Sequence, residues 1–254
     1  MKIIINGLGR IGKLVFRRLC DENLHKNILM VNEKAGSASD QEYFLRYDTV
    51  HGTWGDDLCF ENGCLNYKDH SIAVMTEGSI ESISFPKSEK FLVVDCTGVN
   101  KSEKLLEPYF ERKASYVLIS APIESSNVQN IVYGINHQSI DTSAYKIFTA
   151  ASCTTNCLAP IVKVLEENIG IKHGSITTIH NITNSQTIVD APKNNLRRSR
   201  SGINSLIPTT TGSARAISLI YPELKGRLNG HAVRVPLLNA SLTCLLYTSP
   251  SPRD

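Results

Sequence analysis

The chain has 254 residues and a mass of 28.0 kDa, room for two ordinary domains or one large one. Hydrophobic residues at 41% and charged residues at 20% fit a globular protein and exclude an extended disordered chain. A net charge of +3 is too small to make nucleic acid or an anionic membrane the main partner, and no apolar run reaches the length of a membrane span.

The opening MKIIINGLGRIGK carries one Lys before a short strand-like run that breaks at Gly7. That run is too short for a signal peptide, so a cytoplasmic location is expected. Lys2–Ile5 reads as a strand, Gly12–Leu19 as a helix and Ile28–Val31 as a second strand. Phe91–Asp95 is predicted as a strand and Lys101–Arg112 as a helix, with Leu105, Leu106, Tyr109 and Phe110 on one face. Tyr116–Ser120 and Ile131–Gly134 complete the strands of this half. Strands alternating with helices predict a Rossmann-type doubly wound parallel sheet over 1–151. The pattern changes near residue 150. A helix runs from Cys153 to about Asn168 with Gly170 as its stop, then a strand over Ser175–His180. A polar, basic stretch over 181–204 precedes a helix at Gly212–Ile220 and a strand at Ala232–Pro236. Residues 152–243 are expected to form an incomplete α+β catalytic domain. The end, CLLYTSPSPRD (244–254), breaks the preceding pattern and resembles a translated sequencing-library adaptor. It is expected to lie outside any packed element.

Gly7-Leu8-Gly9-Arg10-Ile11-Gly12 is GxGxxG between a strand and a helix. Gly7 permits the tight turn, Gly9 lets a pyrophosphate approach the backbone, and Gly12 lets helix and strand pack closely. The helix N-terminus adds its N–H groups and positive dipole end. Glu33, at the end of the next strand, can accept from ribose hydroxyls and would repel a 2′-phosphate, favouring NAD, while Lys34 leaves room for NADP. Seven cysteines form neither a disulfide framework nor a paired zinc spacing, and no metal site is expected. Cys153 opens a helix, where the dipole eases thiolate formation, and His180 can supply the base that a Cys nucleophile needs. Cys157, one turn further in, is expected to be buried in a packing face. A Cys–His pair could equally serve a hydrolase or acyltransferase. The glycine motif with Glu33 argues against that.

GLGRIG, YDTVHG (47–52), DCTG (95–98), ASCTTNCLAP (151–160), TTIHNITNSQ (177–186), RRSR (197–200), IPTTTGSARA (207–216) and PELKGRLNGHAVRVP (222–236) together resemble the glyceraldehyde-3-phosphate dehydrogenase family. They stand in the family's order and cover the chain to about residue 243. The resemblance implies that Cys153 forms a hemithioacetal and then a thioester, with His180 as base. It implies Thr183, Ser185 and Arg234 on the substrate's phosphate, Ser152, Arg198, Thr211 and Gly212 on the attacking oxyanion, and Thr154 among the substrate- or anion-binding residues. NAD would be held by Gly9, Arg10 and Ile11 at the pyrophosphate, by Glu33 at the adenine ribose, and by Thr97, Gly98 and Ser120 toward the nicotinamide, with Asn6, Gly7 and Gly12 supporting the turn. The implied partners are glyceraldehyde 3-phosphate, inorganic phosphate or arsenate, and, for the full-length protein, three further copies in a homotetramer.

The chain departs from the family pattern at Glu33, where Asp is usual, and at Lys193-Asn194-Asn195, where His-Lys-Asp is usual. The family's final strands, its C-terminal helix and the Asn that orients the nicotinamide carboxamide are expected to be missing, which predicts an insoluble or inactive chain. GIKHGSITTIHNITNSQT and GRLNGHAVRVPLLNASLT resemble the version found in bacterial arsenic-resistance operons, with erythrose-4-phosphate dehydrogenase as an alternative. A fragment that only binds nucleotide is the third reading.

Overall fold

The computed structural model describes residues 1–86 and 90–250. The chain divides into two compact units, the first Met1–Asn130 with Asp141–Ala150, the second Ile131–Ile140 with Ala151 onward.

In the first unit, β1 (Lys2–Asn6) leads through the glycine turn into α1 (Gly12–Asp21), β2 (Ile28–Asn32) and α2 (Asp40–Arg46). A two-residue ladder, β3 (Tyr47–Asp48) with β4 (Gly52–Thr53), is followed by a meander of β5 (Leu58–Glu61), β6 (Cys64–Tyr67) and β7 (His70–Met75). Then come β8 (Phe91–Asp95), α3 (Glu103–Glu111), β9 (Ala114–Ile119), β10 (Val128–Asn130) and β11 (Ile147–Thr149). These strands form a sheet in the order β10-β11-β9-β8-β1-β2-β7-β6-β5. It is parallel from β10 to β7 and antiparallel at β6 and β5. Period-2 alternation in β1 explains the two-sided core. Ile4 joins Leu106 and Tyr109 of α3 on one face, and Ile5 joins Phe16 and Cys20 of α1 and Leu45 of α2 on the other.

The predicted strand at Ile131–Gly134 is absent; the strand there is β10, which stops at Asn130. Gly134 turns the chain at φ +86°, and Val132 is buried in the core of the second unit instead. The meander β5–β7 was not predicted. Its residues mix polar and apolar side chains, with burial alternating only loosely along each short strand.

The second unit holds α4 (Cys153–Asn168), β12 (His173–Asn181), β13 (Ile207–Thr210), α5 (Ser213–Ser218), β14 (Leu228–Val235) and β15 (Ser241–Thr248). Its sheet has the order β13-β14-β12-β15, with β12 and β14 parallel and the outer strands antiparallel. Leu158, Ala159 and Val162 of α4 and Ile217 of α5 pack on Ile176 of β12. Three expectations need correction. α5 is shorter than predicted, and β14 begins four residues earlier, because the polar run Leu228–His231 is held by its ladder with β12 rather than by its own hydropathy. Residues 244–248 are not outside the fold. They form the second half of β15, where Leu245 and Tyr247 pack against the core, while 251–254 fall outside the described residues. No helix among the described residues is long and apolar enough to cross a membrane.

Candidate active site

Gly7 takes φ +90°, and its N–H donates to Asn32 O at 2.7 Å, so the chain leaves β1 in a turn that a side chain would strain. A Cβ at Gly12 would sit 1.7 Å from Gly7 O, which fixes how closely α1 approaches the turn. A Cβ at Gly9 would meet nothing within 4 Å. The open space over Gly9 and the start of α1 fit a pyrophosphate. The Glu33 carboxylate accepts Leu8 N–H at 2.8 Å and Ala35 N–H at 3.0 Å, which ties it to the glycine turn at the edge where a ribose would lie. Thr97 donates to Asp95 Oδ1 through its N–H (2.9 Å) and hydroxyl (2.7 Å). Gly98 follows at φ +71°, and Ser120 N–H donates to Asp95 O at 3.0 Å. The predicted nucleotide residues therefore gather at the C-terminal ends of β1, β2, β8 and β9, where parallel sheets take their ligands.

Sequence reasoning missed what holds this rim. Asp95, fully buried, accepts from Tyr109 OH at 2.8 Å and Asn100 Nδ2 at 2.7 Å. Asn6 Nδ2 donates to the same Tyr109 oxygen at 2.5 Å, and Asn32 Nδ2 donates to Asn6 Oδ1 at 2.8 Å. Burial, with the Asp95 charge beside it, pushes the Tyr109 phenol far up, so it stays a donor at any ordinary pH. The signals available were the Asp of DCTG and the Asn before Glu33.

In the second unit, Ser152 caps α4. Its Oγ accepts Thr155 N–H at 3.1 Å. Ala151 precedes it at φ +55°, a strained approach to the helix. Cys153 is the first helical residue, and its Sγ lies 3.4 Å from His180 Nε2 at the end of β12. The contact with His180 is the main cause holding the thiol at about 7, against burial that raises it, and Thr154 adds hydrogen bonds from its side chain and N–H. Cys157 is exposed, a correction to its expected burial. The buried face of α4 is Thr154, Thr155, Leu158, Ala159 and Val162. Position 157 falls one turn along from 153 and shares its outward face.

Arg234 pairs in register with His180 across the β12–β14 ladder. Its Nη1 donates to His180 Nδ1 at 2.5 Å and to Asn181 O at 3.1 Å. Thr183 and Ser185 share a hydroxyl contact at 2.9 Å, in a turn where Gln186 Oε1 accepts Thr183 N–H at 3.0 Å. Arg198 donates to Thr209 Oγ1 from Nη2 (2.5 Å) and Nε (3.2 Å), a clamp by a β13 hydroxyl that the sequence did not suggest. Thr211 Oγ1 lies 2.8 Å from Ser213 Oγ, and Gly212 stands at the start of α5. Arg234 feels both the Cys153 charge and the like charge of Arg198. A thiol, an imidazole and two guanidiniums thus share one electrostatic neighbourhood in the second unit, a set able to form a covalent adduct at sulfur beside anionic groups.

The family model described as glyceraldehyde 3-phosphate dehydrogenase, NAD binding domain, matches residues 1–103, and that described as its C-terminal domain matches 152–252. Among curated proteins, the chain is 44% identical to glyceraldehyde-3-phosphate dehydrogenase 3 of Nostoc sp., over 99% of this chain and 74% of the relative. It is 40% identical to glyceraldehyde-3-phosphate dehydrogenase 1 of Bacillus cereus, over 96% and 72%. It is also 40% identical to the glyceraldehyde-3-phosphate dehydrogenase of Geobacillus stearothermophilus, over 97% and 72%.

Proposed function

Because the chain belongs to the glyceraldehyde-3-phosphate dehydrogenase family, we propose that it oxidises glyceraldehyde 3-phosphate with NAD and releases the product as an acyl phosphate. The observation that carries this reading is the Cys153–His180 contact at 3.4 Å with the thiol held at about 7, which keeps a large thiolate fraction at neutral pH.

The Cys153 sulfur bonds to the aldehyde carbon, and the oxygen that gains the electron pair takes a proton from His180 Nε2, giving the hemithioacetal. His180 then takes that hydroxyl proton back as the carbon loses its hydride, leaving a thioester on Cys153. Bound NAD supplies the hydride acceptor. An acceptor oxygen attacks the thioester carbon, the carbon–sulfur bond breaks, and the Cys153 thiolate is restored. Arg234, Thr183 and Ser185 hold the substrate's own phosphate. Arg198, Thr211, Gly212, Ser152 and Thr154 hold the acceptor. Guanidinium forks and hydroxyls fit a tetrahedral oxyanion, and phosphate and arsenate share that shape and charge, so both serve as acceptor. On the nucleotide side, Gly9, Arg10 and Ile11 take the pyrophosphate. Glu33 takes the adenine ribose, and Thr97, Gly98 and Ser120 line the nicotinamide side. The working form is a homotetramer, supported by the exposed apolar residues Ile188, Val189 and Leu196 in the 181–204 segment.

The test is NADH formation, with aldehyde and acceptor omitted in turn. Reduction that requires both supports the reading. Reduction that proceeds without acceptor points to a hydrolytic dehydrogenase, and ester hydrolysis without reduction points to a hydrolase.

A further inference from the structure

The turn that presents Thr183 and Ser185 is held from outside by one charge. Within the turn, Gln186 N–H donates to Thr183 O at 2.9 Å, Gln186 Oε1 accepts Thr183 N–H at 3.0 Å, and the Thr183 and Ser185 hydroxyls meet at 2.9 Å. The Ser185 carbonyl accepts from the Lys193 ammonium at 2.8 Å. Lys193 is itself fixed at its backbone, because its N–H donates to Ser199 Oγ at 3.1 Å in the loop that also carries Arg198. An ammonium has three N–H donors, and the other two of Lys193 have no partner among the described residues. No carboxylate among them pairs with it either. Asp190, three residues earlier, is engaged by the Arg200 guanidinium and by Ser201 N–H at 2.8 Å. The charge of Lys193 is therefore uncompensated beside two hydroxyls. Because the Ser185 carbonyl and hydroxyl belong to one residue, the ammonium lies within about 8 Å of that hydroxyl, no further than the screening length at physiological salt.

We propose that Lys193 is a specificity-determining residue for the phosphorylated end of the substrate. It pins the turn over 183–186 and supplies a second positive charge there. The inference rests on the reading above that Thr183, Ser185 and Arg234 meet the substrate's phosphate. A phosphate ester carries about −1.5 to −2 charge at pH 7. Arg234 offers one positive charge, and part of its fork is engaged by His180 Nδ1 and Asn181 O. The ammonium makes up the difference. An uncharged aldehyde gains nothing from it, so Lys193 sharpens the choice between a phosphorylated and a plain aldehyde. Lys193 lies in the Lys193-Asn194-Asn195 departure from the family pattern, so its charge belongs to this chain and is not implied by the resemblance.

The experiment is calorimetric titration of the full chain, its Lys193→Met variant and its Lys193→Arg variant with glycerol 3-phosphate, which has the ester but no aldehyde. Loss of one charge-assisted contact should raise Kd about ten-fold in Lys193→Met, while Lys193→Arg should stay within about three-fold of the parent. Affinity should also fall less steeply with added salt in Lys193→Met, a change that a merely structural contact would not cause. In turnover, the ratio of KM for glyceraldehyde 3-phosphate to KM for glyceraldehyde should rise by a similar factor. Labelling the unmodified protein with acetic anhydride needs no variant to fold. Saturating glycerol 3-phosphate should slow acetylation of Lys193 several-fold, and glycerol should not. Unchanged affinity in Lys193→Met, equal loss in both variants, or labelling indifferent to the ester overturns the proposal. A parent chain that binds no ester sinks the phosphate reading together with this inference. Ester binding without NADH formation sinks the proposed oxidation alone and leaves Lys193 in its role.

Discussion

Cys153 owes its reactivity to contacts of unequal weight. His180 contributes most, Thr154 adds smaller hydrogen bonds, and burial works against both. Alkylation by iodoacetamide is therefore expected to rise through about pH 7 rather than through the higher value of a free thiol. In His180→Asn the midpoint should move up. The same shift has a consequence for stability. A thiol lowered on folding contributes stabilisation that is complete above its unfolded value of about 8.5 and is lost as pH falls through about 7. Cys153→Ser is expected to abolish NADH formation while NAD still binds, and Cys157→Ser, on the exposed face, to leave the chemical step within a few-fold. Equal damage from both would overturn the choice of nucleophile. The two guanidiniums are expected to separate by substrate. Arg234→Leu should raise KM for the phosphorylated aldehyde, and Arg198→Leu should raise KM for the acceptor. The positions of Cys153 and His180 were legible because the helix start and the strand end could be placed from local pattern, whereas Cys157 was expected on the buried face and lies on the exposed one. The Arg198–Thr209 clamp was not, because it joins a loop to a strand that only the folded sheet brings beside it.

The turn after β1 shows how two glycines in one motif do different work, and two substitutions separate them. Gly9→Ala places its Cβ in open space, so the melting temperature should stay close to that of the parent. NAD affinity should fall, because the new methyl occupies the approach to the pyrophosphate. Gly12→Ala drives its Cβ into a backbone carbonyl, which cannot move without parting α1 from the turn. Overpacking of that kind costs about 1–3 kcal/mol, so both affinity and melting temperature should drop. Thermal melts and NAD titration of the two variants make the comparison. The small β3–β4 ladder is held by charge instead. Lys13 of α1 pairs with Asp48, which also accepts the N–H groups of Val50 and His51 at 2.8 Å. The pairing holds the Asp48 carboxyl well below the usual range. Its stabilisation is thus present above about pH 3.9 and is lost as pH falls further. Asp48→Asn should lower stability at neutral pH by about 1–3 kcal/mol and flatten the acid limb of a denaturation profile. A variant with an unchanged acid limb would place the acid sensitivity elsewhere. YDTVHG could be recognised in the sequence as a signature, but its structural role depends on Lys13, more than thirty residues earlier.

At the scale of the chain, the expectation of an insoluble or inactive polypeptide rested on the family's missing final strands and helix and, in part, on residues 244–254 adding nothing in their place. That support is gone for 244–248. Thr177 pairs with Cys244, Ile176 with Leu245, Ser175 with Leu246, Gly174 with Tyr247 and His173 with Thr248, and Lys172 N–H donates to Thr248 O at 2.8 Å. The alternation that places these residues begins before the CLLYTSPSPRD string and runs into it: Thr243, Leu245 and Tyr247 face inward while Leu242, Cys244 and Leu246 face out. β12 carries His180, and β15 covers its edge. Ending the chain at Thr243 would therefore strip hydrogen-bond partners from the first half of β12 and uncover Ile176 and Leu228 of the core. Each buried group left unpaired costs about 1–3 kcal/mol, against a whole-domain stability of about 5–15 kcal/mol. A chain of residues 1–243 is accordingly expected to lose cooperative unfolding of its second unit and to aggregate at concentrations where the 254-residue chain stays in solution. Its first unit should still bind NAD, since every residue assigned to that site lies before residue 130. Calorimetry and sedimentation of the two chains side by side provide the measurement. If the shorter chain unfolded as cooperatively as the longer one, β15 beyond Thr243 would be a passenger on the sheet, and the core around Ile176 would draw its stability from α4 and β14 alone.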